Sequence, residues 1–143
     1  MNAAKFVSGL IKLKRLAKTE IEHARVDLAE IETAKASNSA AMEALVRDCA
    51  EADQSAKTDP AFLSANIQFR EGVVLRREAL RKAGFALEKA EAEIRDRLDQ
   101  AVQEYKKLEI LIAVDAEKAG KAAKKQEIAG ADDWAARAAL KSN

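Results

Sequence analysis

The chain has 143 residues, which is one domain's length, with a formal net charge of +1 and 34% charged residues. Only 4% of residues are aromatic while alanine is abundant, so a wide globular core is excluded and a thin helical rod with a narrow apolar seam fits better. One cysteine and one histidine leave no disulfide framework and no thiolate or imidazole metal cluster.

In chain order, the first element is a long helix predicted over about residues 3–54. Its seam runs Phe6, Leu10, Leu13, Ala17, Ile21, Ala24, Leu28, Ile31, Lys35, Asn38, Met42, Leu45, Cys49, Ala52. From Ile21 onward the steps alternate three and four, the spacing of a coiled-coil seam. Leu13–Ala17–Ile21 sets two steps of four in succession, a stutter that locally unwinds a supercoil. Lys12 and Lys14 interrupt the apolar start, so no transmembrane segment is expected. The first nineteen residues hold bases and no acid, like a presequence. Because Phe6, Leu10 and Leu13 continue the seam, the expectation is a mature start and a cytoplasmic protein. Cys49 reads as a small apolar seam residue, and His23 as a surface residue.

A turn is predicted at 55–60. Asp59 before Pro60, the only proline, is a helix-start signal: a capping carboxylate, then a residue suited to the first helical position. A second helix follows over about 61–128, with its seam at Phe62, Asn66, Phe69, Val73, Arg76, Leu80, Ala83, Leu87, Ala90, Ile94, Leu98, Ala101, Tyr105, Leu108 and Ile112. Its stutter is Ala90–Ile94–Leu98. If the chain folds back about the Lys57–Thr58 bond, the two stutters face each other, Ile21 beside Ile94 and Leu10 beside Tyr105. The same register gathers Lys35, Asn38 and Arg76 into one polar layer, a device against misalignment.

The expected fold is therefore all-α: a long antiparallel two-helix coiled-coil hairpin with a protruding C-terminal helix. Residues from about Ala113 onward would have nothing opposite them. Gly130 reads as a stop and Asp132 as the cap of a short last segment, 132–141, which carries the only tryptophan, Trp134.

A two-helix rod offers no interior for a substrate, so neither a catalytic site nor a bound cofactor or metal is expected. Basic residues gather at the open end: Lys12, Arg15 and Lys18 on the first helix, Lys118, Lys121, Lys124 and Lys125 on the second. Acids gather at the tip, including Asp48, Asp53 and Asp59. The basic end with Trp134 is the candidate partner-binding surface. Nucleic acid is a poor candidate, because bases are balanced by acids elsewhere.

The opening Leu10-Ile11-Lys12-Leu13-Lys14-Arg15-Leu16-Ala17 with Glu20, the restart Phe62–Phe69, and the ending Lys124-Lys125-Gln126-Glu127 then Asp132-Asp133-Trp134-Ala135-Ala136-Arg137 carry a resemblance. Together they resemble the FliJ family, the small coiled-coil component of the bacterial flagellar type III export apparatus. Asp133 stands where that family commonly has glutamate. The resemblance implies a rod similar to the γ subunit of rotary ATPases. It implies contact with the hexameric export ATPase and with the cytosolic domain of the export gate, and escort of export chaperones. It also implies a chain that is monomeric when free, cytoplasmic, and peripherally associated with the export apparatus of the inner membrane. Stalk proteins of virulence-type secretion systems share this shape. A different reading is a coiled-coil factor that inserts its acidic tip into RNA polymerase.

Overall fold

The computed structural model describes residues 3–142. The fold is all-α, with two long helices and no strand among the described residues. Helix α1 spans Ala3–Thr58, a 3-10 turn spans Pro60–Phe62, and helix α2 spans Leu63–Lys141.

The turn forms as its residues dictate. Asp59 is extended, and its side chain accepts a hydrogen bond from the Ala61 amide at 3.0 Å, with Pro60 following. Helix α1 continues through 55–58, four residues beyond its expected end. The Thr58 hydroxyl donates to the Ser55 carbonyl at 2.9 Å, and the Asp59 amide donates to the same carbonyl at 3.1 Å. These bonds satisfy carbonyls that a helix end leaves open, so Asp59 alone separates the helix from the 3-10 turn.

The chain divides into two compact units: residues 21–99, and residues 1–20 with 100–143. In unit 21–99, contacts run in opposite order along the two helices. Asp53 meets Arg70, Asn38 meets Leu80, Lys35 meets Glu91 and Asp27 meets Arg97. Ile21, Ala24 and Leu45 are the buried apolar residues here, and Ala24 is wholly enclosed. In the other unit, Leu10, Ala17 and Leu108 form a small core, with Tyr105 and Ile112 packed on it.

The register differs from expectation. The break falls at Asp59 rather than between Lys57 and Thr58. Moving the pivot by one and a half positions moves partners on α2 by about three residues, close to one turn. Leu10 thus shares its core with Leu108 while Tyr105, its expected neighbour, packs against that core, and Asp53 reaches Asn66. Asp27 pairs with Arg97, while Ile21 is buried and Ile94 half-buried in the same unit.

The stutter of the first helix does not survive, whereas Ala90, Ile94 and Leu98 of the second all remain half-buried. Leu13 is 51% exposed, and Lys14 takes the inner position. Its ammonium lies 5.2 Å from the centre of the Tyr105 ring and 3.6 Å from the Glu109 carboxylate. A lysine can cover apolar surface with its stem and keep its charge in water. The less exposed positions Val7, Leu10, Lys14 and Ala17 alternate steps of three and four without interruption. On α2, Glu91 and Gly84 likewise take inner positions assigned to Ala90 and Ala83: Ala83 is exposed, whereas Ala90 remains half-buried beside Glu91.

The polar layer is also corrected. The Lys35 ammonium bonds Glu91 at 2.9 Å, the Asn38 amide donates to the Leu80 carbonyl at 3.1 Å, and Arg76 lies exposed. Asn38 approaches that carbonyl across Gly84, where an added Cβ would sit 3.3 Å from Asn38 Oδ1. At Gly72 an added Cβ would meet nothing within 4 Å. Gly72→Ala should therefore recover the full helix-propensity gain, up to about 1 kcal/mol. Gly84→Ala should gain less or lose stability, because the amide must shift. Equal rises in melting temperature would show that Asn38 is not seated there.

Candidate functional site

The predicted binding residues Lys12, Arg15, Lys18, Lys118, Lys121, Lys124, Lys125 and Trp134 all fall in one compact unit and are all exposed. The helix itself positions them. Alanine, lysine, glutamate and glutamine dominate 113–128, all strong helix formers with little competing turn chemistry. Lys121 pairs with Glu117 at 3.2 Å, one turn away on the same helix.

Two boundaries are corrected here. Helix α2 runs unbroken through Gly130 to Lys141, so no separate segment begins at Asp132. One glycine between alanines costs about 1 kcal/mol and lacks the left-handed conformation of a helix stop. Residues after Ala113 are also not all without a neighbour. Asp115, Ala116, Lys118, Ala119 and Ala122 share an apolar groove with Ala3, Val7 and Ile11. The shift of register by about one turn accounts for this. The stretch from Ala116 to Ser142 is exposed along its whole length, with Ile128 at 56%, Trp134 at 73% and Leu140 at 79%.

Two of the acids near the turn, Asp53 and Asp59, are engaged locally. Asp59 caps the 3-10 turn, and Asp53 receives Arg70 through both Nε and a terminal guanidinium nitrogen, with the Asn66 amide at 3.3 Å. Those hydrogen bonds, Arg70 first and Asn66 second, hold the Asp53 carboxyl below its ordinary value. A depressed carboxylate pKa adds stability above the unfolded value, and that stability is lost as pH falls through the folded value. In a carbon-detected NMR titration, Asp53 should titrate below an ordinary aspartate, and Arg70→Ala should return it upward. An Asp53 midpoint that ignores Arg70→Ala would contradict this pairing.

Among the described residues, no group of three or more His, Cys, Asp or Glu side chains is placed to hold a metal ion. No described helix is long and apolar enough to cross a membrane. His23 is exposed and Cys49 is a half-buried free thiol. Sequence reasoning missed an apolar groove in unit 21–99, where Met42, Leu45, Val46 and Cys49 meet Val73 and Arg77. It also missed the open apolar residues Phe6, Leu13 and Leu16, because it placed the first two in the seam. The missed signal was a second apolar repeat, one position out of phase with the first.

The chain matches no known family model, no curated protein and no solved structure.

Proposed function

We propose that the protein is a non-enzymatic binding rod, an antiparallel two-helix coiled-coil hairpin with a protruding C-terminal helix. Its finer role is that of a FliJ-like stalk in a bacterial flagellar export apparatus. It contacts a hexameric export ATPase and the cytosolic domain of the export gate, and it escorts export chaperones. It acts in the cytoplasm at the inner-membrane apparatus and is monomeric when free.

The observation that carries this reading is the exposed stretch from Ala116 to Ser142, with four lysines near its start and Trp134 near its end. A helix this long is not held by a core of its own, and helical stability in proteins usually comes from packing an apolar face. Ile128, Trp134 and Leu140 supply apolar contact, and the lysines favour an acidic partner surface. Of the acids behind the RNA polymerase reading, Asp59 caps the turn and Asp53 is bonded to Arg70 of α2.

The test is a titration of the chain with a purified hexameric export ATPase. Emission is read as the difference between the wild-type chain and Trp134→Phe. Complex formation with a blue shift of Trp134 emission supports the reading. If no complex forms, the export assignment fails; if one forms and the emission does not move, Trp134 is not its anchor.

A further inference from the structure

The groove of unit 21–99 has Met42, Leu45 and Val73 at its floor, with Glu43 on the α1 side and Arg77 on the α2 side. Glu43 and Arg77 are both exposed, and among the described residues neither has an ion-pair partner. The neighbouring arginines differ, since Arg70 is held by Asp53 and Arg81 by Glu78.

Two unequal rows flank the groove. On α1, Ala36, Ser39, Glu43, Val46 and Ala50 repeat at steps of three and four and are all exposed. On α2 the row is Arg70, Val74, Arg77, Arg81 and Phe85, exposed as well. The open apolar members are Val46 at 69%, Val74 at 67% and Phe85 at 59%. The register set by Asn38 with Leu80, and by Asp53 with Asn66 and Arg70, brings the rows level. Val46 stands across from Val74 and Glu43 from Arg77. Ala36, Ser39 and Ala50 stand across from Phe85, Arg81 and Arg70. The small side chains are therefore on α1 and the large ones on α2.

We propose that this face pairs with the same face of a second copy, the two units lying parallel about a two-fold axis that runs along their helices. Such an axis keeps the level of each residue and exchanges the sides, so α1 of each copy lies on α2 of the other. Each small side chain then meets a large one. Val46 of each copy meets Val74 of the other, and Glu43 of each meets Arg77 of the other. The four helices close over the groove as a bundle.

The charges and the unequal rows select this occupant. An antiparallel pairing, with its axis across the helices, lays α2 on α2 and sets Arg70, Arg77 and Arg81 of the two copies together. A single foreign helix offers one row to two rows of unequal height and leaves the small one underfilled. A lipid surface would have to bury Glu43, and a flat layer fills no groove. The matched stretch is only about 22 Å of helix, near the small end of interfaces, so the dimer is weak, with a Kd on the order of tens of micromolar. Below that concentration the chain is monomeric, as the export reading has it. The pairing uses a different surface from the exposed C-terminal stretch.

The test is sedimentation equilibrium of the full chain, from well below that Kd to well above it. The wild-type chain should pass from monomer to dimer. Val46→Glu with Val74→Glu should raise the Kd by about a hundredfold or more, through lost apolar burial on both copies. Both valines are exposed, so circular dichroism should show that variant fully helical. Glu43→Arg and Arg77→Glu should each weaken the dimer about tenfold, and their equimolar mixture should restore it. Leu13→Glu with Leu16→Glu, and Trp134→Ala, lie outside this unit and should dimerise as wild type. Direction is read by cross-linking with a short bis-maleimide in a Cys49→Ala background. A mixture of Val46→Cys and Val74→Cys chains should link far faster than either variant alone.

A chain that stays monomeric throughout, or a dimer untouched by the Val46/Val74 change, overturns the proposal. So does cross-linking of either variant alone as fast as in the mixture, which would contradict the parallel axis. Binding to phosphatidylserine vesicles that the Val46/Val74 change abolishes would give the face to lipid and also overturn it. None of these outcomes bears on the ATPase titration.

Discussion

Leu108→Ala is expected to lower stability by about 2–5 kcal/mol, read as a fall in urea midpoint with an unchanged slope. Leu108 is 3% exposed, the most buried large side chain described, and it joins Leu10 and Ala17 in a core of only three buried residues. So thin a core has few neighbours able to close over a cavity. Tyr105 and Ile112 flank the site and could relax inward, which places the cost within the range rather than above it. Leu13→Ala is the control. At 51% exposure it should cost under about 0.5 kcal/mol, the ordinary range for surface changes. The original seam, with Leu13 inside, demands a large loss at both positions. Comparable losses would restore that seam and its stutter.

Ala24→Leu should be nearly as damaging, for the opposite reason. Ala24 has no exposed surface at all. A leucine there must push the helices of its unit apart or take a strained rotamer, at a cost of about 1–3 kcal/mol. The disturbance should reach Asp27, one turn away, whose carboxylate bonds Arg97 at 2.6 Å. A loss of melting temperature together with lost protection of the amides around 21–31 is the expected pattern. A neutral or stabilising Ala24→Leu would mean that the two helices separate freely at that level.

The sequence made the helices and the turn legible because their signals are local. Pro60 after Asp59 can start a helix but not continue one, and the cap forms as that chemistry requires. Register was less legible, because it depends on which of two adjacent positions turns inward. Hydrophobicity favoured Leu13 over Lys14 and Ala90 over Glu91. Where only two helices pack together every inner position is close to water, so a lysine stem or a paired glutamate can sit there and leave a leucine outside. The stutter of the first helix came from that choice at Leu13. Arg76 entered the polar layer by the same error, whereas Asn38 is held by a carbonyl and by the space at Gly84, which no hydropathy pattern encodes. The unbroken passage of α2 through Gly130 reflects its alanine neighbours, whose combined propensity outweighs one glycine. The basic candidates were readable as charge, and their exposure follows from there being no wide core to enter.

The proposal that the exposed C-terminal stretch carries partner binding is tested most directly by ending the chain at Ala122. That cut keeps the groove that Asp115–Ala122 shares with Ala3–Ile11 and removes Lys124, Lys125 and Trp134. Binding to a purified hexameric export ATPase is then measured for both chains across a salt series. Screening shortens from about 10 Å at 0.1 M to about 3 Å at 1 M, so steering by lysines should fade across the series. The full chain should bind and weaken with salt, and the shortened chain should remain helical, melt as before and fail to bind. A shortened chain that binds the ring as the full chain does, or full-chain binding indifferent to salt, would contradict the account.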